Sequence, residues 1–361
     1  MESLVRLRQL RSIYDGKKVF LTGHTGFKGT WLNAILYKLG AIVKGYALEP
    51  EESRTFYELF KPYNFCQSII ADIRDKKRLQ SEIISFQPDF VFHLAAQPLV
   101  LRSYEIPAET FEVNVTGTAN VLESIISLKK KCSVLVVTTD KVYENKEQDV
   151  LYKESDRLGG HDPYSASKAC TELVVDSFRS SFFNINQVKS HQKGIASARA
   201  GNVIGGGDWS ANRIIPDTVK ALLKNEPILI RNPNSVRPWQ HVLEPLIGYL
   251  LLNGYLWDNP GQFSKAYNFG PFVNDHLTVQ ELVHLALKLW GNGTVELAGA
   301  AEKAHEASLL QLDIDQAIRE LGWRPRLTAS EAIRWTMEWY RKETSAQADF
   351  TFEQIDNYLS K

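Results

Sequence analysis

Cysteine is scarce in this chain: Cys66, Cys132 and Cys170 are the three present among 361 residues. An odd number without metal-ligand spacing excludes a disulfide framework and a zinc module, and it points to reduced thiols in a cytoplasmic protein with no metal. Net charge is lacking too, since Lys plus Arg and Asp plus Glu both total 42. No global field recruits nucleic acid or a membrane surface, so neither is expected as a partner, and an anionic ligand must be held by local arginines. No uninterrupted apolar run approaches the ~20 residues that span a bilayer. Met1 to Asp15 is charged throughout, unlike a secretory leader. Internal repeats and low-complexity tracts are also missing. What is present is 44% apolar residues, enough for one large or two ordinary domains, each with its own core.

Strand-like and helix-like segments alternate along the first half, the pattern of a parallel sheet covered by helices on both faces. Strands are expected at Lys18 to Thr22, Ile42 to Ala47, Ser68 to Ala71, Phe90 to His93, Ser133 to Thr138 and Gly194 to Ala198. Their short apolar runs suit burial on both faces. A helix is expected over Thr30 to Leu39, stopped by Gly40. Glu105 to Lys130 and Pro163 to Phe183 read as two long helices with apolar residues on more than one face, which leaves a second face for a dimer. Beyond about Gly201 the alternation becomes irregular, with Pro216, Pro227, Pro233, Pro238 and Pro245 interrupting it. A smaller second region is placed there. Trp290, Trp323, Trp335 and Trp339 read as core.

The run Lys18-Val-Phe-Leu-Thr-Gly23-His24-Thr25-Gly26-Phe27-Lys28-Gly29 takes a strand through a glycine turn into a helix. Gly23 permits the turn, Gly26 lets backbone N–H groups approach a phosphate, and Gly29 lets the helix lie close to the strand. The helix N-terminus then faces the anion. The spacing is a variant of the dinucleotide fingerprint, and a glycine turn with no cofactor is the competing reading. A second constellation is Tyr164-Ser-Ala-Ser-Lys168, whose spacing puts phenol and ammonium on one helical face. An adjacent ammonium favours the phenolate, which would make Tyr164 a base; the bland alternative is a surface pair one turn apart. Thr138-Thr139-Asp140-Lys141 follows a strand directly, at the end of a parallel sheet where ligands bind.

With Asp72-Ile73, His93-Leu94-Ala95-Ala96-Gln97, Asn114-Val-Thr-Gly-Thr118, Asn202-Val-Ile-Gly205, Arg237-Pro-Trp-Gln-His-Val242 and Leu321-Gly-Trp-Arg-Pro325, the chain resembles the nucleotide-sugar 4,6-dehydratases among the extended short-chain dehydrogenase/reductases, over essentially its whole length. The resemblance implies a Rossmann-type doubly wound α/β fold. Residues 1–200 would bind the dinucleotide and 201–361 mainly the nucleotide sugar, part of the latter returning to the first domain. It implies NAD as cofactor, a nucleotide-sugar substrate and a homodimer or homotetramer. Gly23, His24, Gly26, Phe27, Lys28, Asp72, Ile73, Leu94, Ala95, Ala96, Tyr164 and Lys168 fall at its cofactor-binding positions. Small residues at 94–96 also suit a close helix-to-strand contact, and Asp72 also suits a helix cap. Asn114, a poor helix former, is expected to have a polar partner and to support the site.

In such a dehydratase Tyr164 takes the C4 hydroxyl proton of the sugar, with Lys168 lowering its pKa and Thr139 holding the hydroxyl. Most relatives follow the Thr with Asp-Glu, as acid for the departing C6 hydroxyl and base for the C5 proton. This chain has Asp140-Lys141. Asp140 is therefore expected as the acid and Lys141 as the base or as the partner of the enolate oxygen, Asp140 otherwise sharing the C5 step. His24 and Lys28 stand where relatives carry small or apolar residues, which either crowds the pyrophosphate turn and weakens NAD or lets Lys28 add an anion contact; NAD that exchanges with solution is expected. Where the acid that usually meets the adenosine ribose is expected the chain reads Tyr46-Ala-Leu-Glu49, so either Glu49 serves late or no acid does; with Arg54 nearby, NADP stays open although the resemblance favours NAD. Asn202, Arg213, Arg231 and Arg237 are the substrate-binding candidates, guanidinium forks suiting a diphosphate. His305-Glu306 lies in a stretch typical of members that use cytidine diphosphate sugars. The rival readings are a nucleotide-sugar 4-epimerase, which needs no acid and base at C5 and C6, and a non-enzymatic dinucleotide sensor, which typically loses the Tyr and Lys retained here.

Overall fold

In a computed structural model, residues 2–50, 56–146, 148–297 and 310–361 are described. Arg54, His305 and Glu306 lie outside them. Seven parallel strands form the central sheet: β1 (Lys18–Thr22), β2 (Ile42–Ala47), β3 (Gln67–Ile70), β4 (Phe90–His93), β5 (Cys132–Val137), β6 (Lys193–Ala200) and β7 (Ala266–Phe269), in the order β3-β2-β1-β4-β5-β6-β7. The expected strands coincide with β1, β2 and β4 and agree with β3, β5 and β6 within two residues at either end. Strand β7 comes from the second half of the chain, so that half returns to the sheet.

Two apolar layers cover the sheet. On one face α1 (Glu2–Tyr14), α2 (Phe27–Lys38) and a late helix, Leu243–Asp258, bury Leu10, Tyr14, Trp31, Ile35 and Tyr249 against Val19, Leu21 and Phe92. On the other, α3 (Lys76–Phe86), α6 (Gly117–Ile126) and α7 (Pro163–Ser181) enclose Phe20, Val91, Val134, Val136 and Ile195. Trp323, Trp335 and Trp339 are buried and Trp290 packs on the same core, as expected.

The long helix expected over Glu105 to Lys130 is helical from Pro107 to Ile126, with a wide turn inside it and a separate short helix before it. The helix α4 (Val100–Glu105) stops before Pro107, which opens α5 (Pro107–Phe111), and a wide turn at Glu112–Thr116 precedes α6. Proline forces the first break by removing an amide donor and constraining the residue before it. The wide turn places Asn114 inward, where its Oδ1 accepts from the Gln97 amide at 2.8 Å and its Nδ2 donates to Ser167 Oγ at 2.8 Å. This is the polar partner its awkward position demanded, and it ties α7 to the loop after β4.

Candidate active site

The sheet order reverses between β1 and β4, which opens a crevice at the carboxyl ends of those strands. The glycine turn lines it. Gly23 has φ +77°, and a Cβ there would lie 2.8 Å from the Ala95 nitrogen. A Cβ on Gly29 would lie 2.0 Å from the Gly23 carbonyl oxygen. Both positions exclude any side chain, so the Leu94-Ala95 backbone closes on the turn, and Thr22 Oγ1 accepts from both the Leu94 and Ala95 amides at 3.2 Å. Gly26 caps α2 without a side-chain hydrogen bond, and no acid stands in the first turn. The free amides of that turn suit a diphosphate.

His24 does not crowd the open side of this turn. Its ring lies beneath β2, where a Cβ on Gly45 would be 2.3 Å from the imidazole, and Nε2 meets Ser68 Oγ at 2.7 Å. Burial holds its pKa down at about 4, so it is neutral. Lys28 takes a different course. Its electrostatic neighbours are Arg213, Asp140 and Lys168; burial and the two cations lower its pKa to about 8 against the pull of Asp140. Phe27 packs at the crevice edge beside Gly205. Asp72 is held by Arg74, whose guanidinium donates at 2.6 Å and whose amide donates at 2.7 Å; Ile73 is buried against Gly117.

The turn after β5 and the start of α7 meet across the crevice. Asp162 caps α7, accepting from the Ser165 amide at 2.9 Å, and Pro163 occupies its first turn. Tyr164 and Lys168 are thereby set on a buried helix face, beside buried Thr139 and Asp140. Thr139 Oγ1 donates to Asp140 Oδ1 at 2.9 Å. Burial raises the Asp140 carboxyl, opposed by Lys141, Thr139 and Lys28. Burial also pushes the Tyr164 phenol up to about 12, with Thr139 and Arg213 pulling it back. The expected lowering by Lys168 is not seen. That ammonium instead donates to the Val137 carbonyl at 3.1 Å, and burial brings it down to about 8.

Of the substrate candidates, Arg213 reaches this cluster, and the segments bearing Asn202 and Arg237 run beside it. Gly201, next to Asn202, abuts Asp140 and Pro238, next to Arg237. Arg213 pairs with Asp208 at 2.9 Å and acts on Tyr164. Arg231 stands apart at the surface, donating to Asn212 Oδ1 at 2.8 Å. The sequence reading missed Glu172 and Arg199, a buried pair behind Lys168. The signal was available, because Glu172 follows Lys168 by one helical turn.

A helix N-terminus with no side-chain cap behind a glycine turn, with Tyr, Lys, Thr and Asp converging beside it, is a layout that suits a dinucleotide-dependent enzyme. The chain belongs to the GDP-mannose 4,6 dehydratase family, which it matches over residues 20–336. It is 45% identical to the CDP-glucose 4,6-dehydratase of Salmonella typhimurium over 354 residues, covering 97% of this chain and 98% of that one. The CDP-paratose 2-epimerase of Salmonella typhi is 25% identical, covering 89% of this chain and 98% of the relative. The fold is shared with a dTDP-glucose 4,6-dehydratase from Streptomyces venezuelae crystallised with NAD bound, at a TM-score of 0.77 and 24% identity, covering 92% and 99% of the two chains.

Proposed function

We propose that this chain converts CDP-glucose to CDP-4-keto-6-deoxyglucose by intramolecular oxidation, dehydration and reduction. The observation that carries this reading is the pairing of buried Tyr164 with buried Thr139 and Asp140 and half-buried Lys141 of the same turn, in a chain 45% identical to a CDP-glucose 4,6-dehydratase. A 4-epimerase has no use for an acid and an amine at that turn. The glycine cradle, closed to any Cβ at positions 23 and 29, fits a dinucleotide. Bound NAD would supply the hydride acceptor at C4 and the donor at C6. Gly23, Gly26, Phe27 and Lys28 with the Leu94-Ala95-Ala96 backbone would hold its nicotinamide half and diphosphate, and Asp72 and Ile73 its adenine end.

The chain's own residues then divide the proton transfers. Thr139 orients the C4 hydroxyl and Tyr164 takes its proton, helped by Thr139 and Arg213, the two neighbours that lower the phenol. Asp140, whose buried carboxyl is raised, stays protonated more readily than a surface acid and donates to the departing C6 hydroxyl. Lys141 removes the C5 proton or holds the enolate oxygen. Asn202, Arg213 and Arg237 would take the substrate diphosphate, with Arg231 at the outer edge. A homodimer or homotetramer is supported by Tyr104, Phe111, Leu173 and Phe182, which stay exposed on or beside α4, α5 and α7. Three free thiols suit a reducing cytoplasm, and among the described residues no helix is long and apolar enough to cross a membrane.

The test is incubation with NAD and, in turn, CDP-, UDP-, dTDP- and GDP-hexoses, followed by ultraviolet absorbance in alkali. A 4-keto product from CDP-glucose alone is expected. An epimerised sugar that keeps its C6 hydroxyl would overturn the reading.

A further inference from the structure

A fully buried ion pair lies behind the site, and the proton transfers above make no use of it. Glu172 and Arg199 are 2% and 5% exposed in their side chains and meet at 3.0 Å. Glu172 follows Lys168 by one turn of α7 and Tyr164 by two, so all three share a helical face. Its Oε1 accepts from Thr138 Oγ1 at 2.5 Å, and its Oε2 accepts from Ser197 Oγ at 2.7 Å. Arg199 continues the chain, donating to the Tyr143 hydroxyl at 2.9 Å and to the Glu154 carbonyl at 3.0 Å. Thr138 immediately precedes Thr139, and Tyr143 closes the Asp140–Val142 turn. One carboxylate therefore fastens the helix bearing Tyr164 and Lys168 to the segment bearing Thr139, Asp140 and Lys141.

The same carboxylate is placed to act on Lys168. Buried His93 of β4 is neutral. Arg199 of β6 spends its charge on Glu172, while Lys28 brings a second cation from α2 and Asp140 sits in the turn after β5. Against the burial of Lys168, Glu172 is the opposing influence. We propose that Glu172 is a positioning residue that keeps the Lys168 ammonium charged and aimed at the Val137 carbonyl, while holding the Tyr164 helix in register with the Thr139–Lys141 turn. A plain structural strut would hold the register without affecting the charge. This proposal rests on the reading of Lys168 as a cofactor-holding residue.

The experiment is the NAD dissociation constant against pH, measured by calorimetry without sugar, for the wild type, Glu172→Gln, Glu172→Asp and the double variant Thr138→Val/Ser197→Ala. Wild-type affinity should break near the pH where Lys168 gives up its proton, about 8. In Glu172→Gln the break moves down by about one pH unit, because the amide keeps a hydrogen-bond acceptor but loses the charge. Glu172→Asp moves it the same way by less. The double variant lowers the melting temperature and leaves the break in place, since the carboxylate remains. An absent wild-type break overturns the proposal, as does an unmoved break in folded Glu172→Gln. If Glu172→Gln does not fold, an unmoved break in Glu172→Asp does the same. Failure of the dehydratase reading looks different: the NAD curves persist and no 4-keto product forms.

Discussion

Replacing Gly45 by Ala tests whether the His24 ring lies where the site description puts it. The added Cβ would stand 2.3 Å from His24 Cγ, 2.5 Å from Cδ2 and 2.7 Å from Nδ1. The ring has little room to yield, because Nε2 is bonded to Ser68 Oγ at 2.7 Å and the ring lies edge-on to Tyr57 at 5.2 Å. Gly45 is itself pinned between β1 and β3, opposite Leu21 and Ser68. Overpacking of this kind costs about 1–3 kcal/mol, or roughly 1–4 °C of melting temperature in a chain of this size. The assay is a thermal double-mutant cycle with His24→Ala. Removing the ring vacates the space, so Gly45→Ala should cost at least about 1 kcal/mol less when His24→Ala is already in place. Equal losses in both backgrounds, or none in the wild type, would refute the placement.

Three further outcomes are expected. Lys141→Met should abolish solvent deuterium wash-in at C5 of the sugar while calorimetric NAD binding is kept; retained wash-in would remove Lys141 as the base. Gly29→Ala drives a Cβ to 2.0 Å from the Gly23 carbonyl oxygen, so NAD affinity should fall at least about tenfold (~1.4 kcal/mol) in a protein that still melts cooperatively. Burial raises Glu244 to about 7, while its carboxylate accepts from Tyr358 and from the Arg326 and Leu327 amides. The folded state then keeps a proton that the unfolded chain releases near pH ~4.3, so this group's contribution to stability falls as pH rises from about 5 to 7. Glu244→Gln should flatten that slope in thermal melts, and an unchanged slope would show that the carboxyl does not titrate there.

The sheet was legible because buried parallel strands carry continuous apolar runs, and Val19–Leu21 and Phe90–Phe92 have no other use for them. Helical spacing put Tyr164 and Lys168 on one face, but it was the neighbouring Thr139-Asp140 turn and the family resemblance that set them apart from a surface pair. The break at Pro107 was readable in principle, but the wide turn at Asn114 was not, because it depends on Gln97 and Ser167 from distant segments. Side-chain direction was the other blind spot. Nothing in Gly23–Gly29 says that His24 goes under β2 while Lys28 turns toward Asp140; the empty space at Gly45 and the charge of Asp140 become visible only in the fold. In the second region, strands such as Val203–Ile204 and Gln240–His241 pair over two residues each, too short to leave a periodic signal. Of the missed pair, Glu172 was readable from its spacing to Lys168, but Arg199 was not, since a charge inside an apolar strand makes sense only once Glu172 is opposite it.

The most direct measurement supplies CDP-glucose deuterated at C4, with NAD, and follows the label by mass spectrometry and NMR. The predicted product is CDP-4-keto-6-deoxyglucose carrying that deuterium on its C6 methyl group. Label returned to C4 of a sugar that retains its C6 hydroxyl would contradict the account.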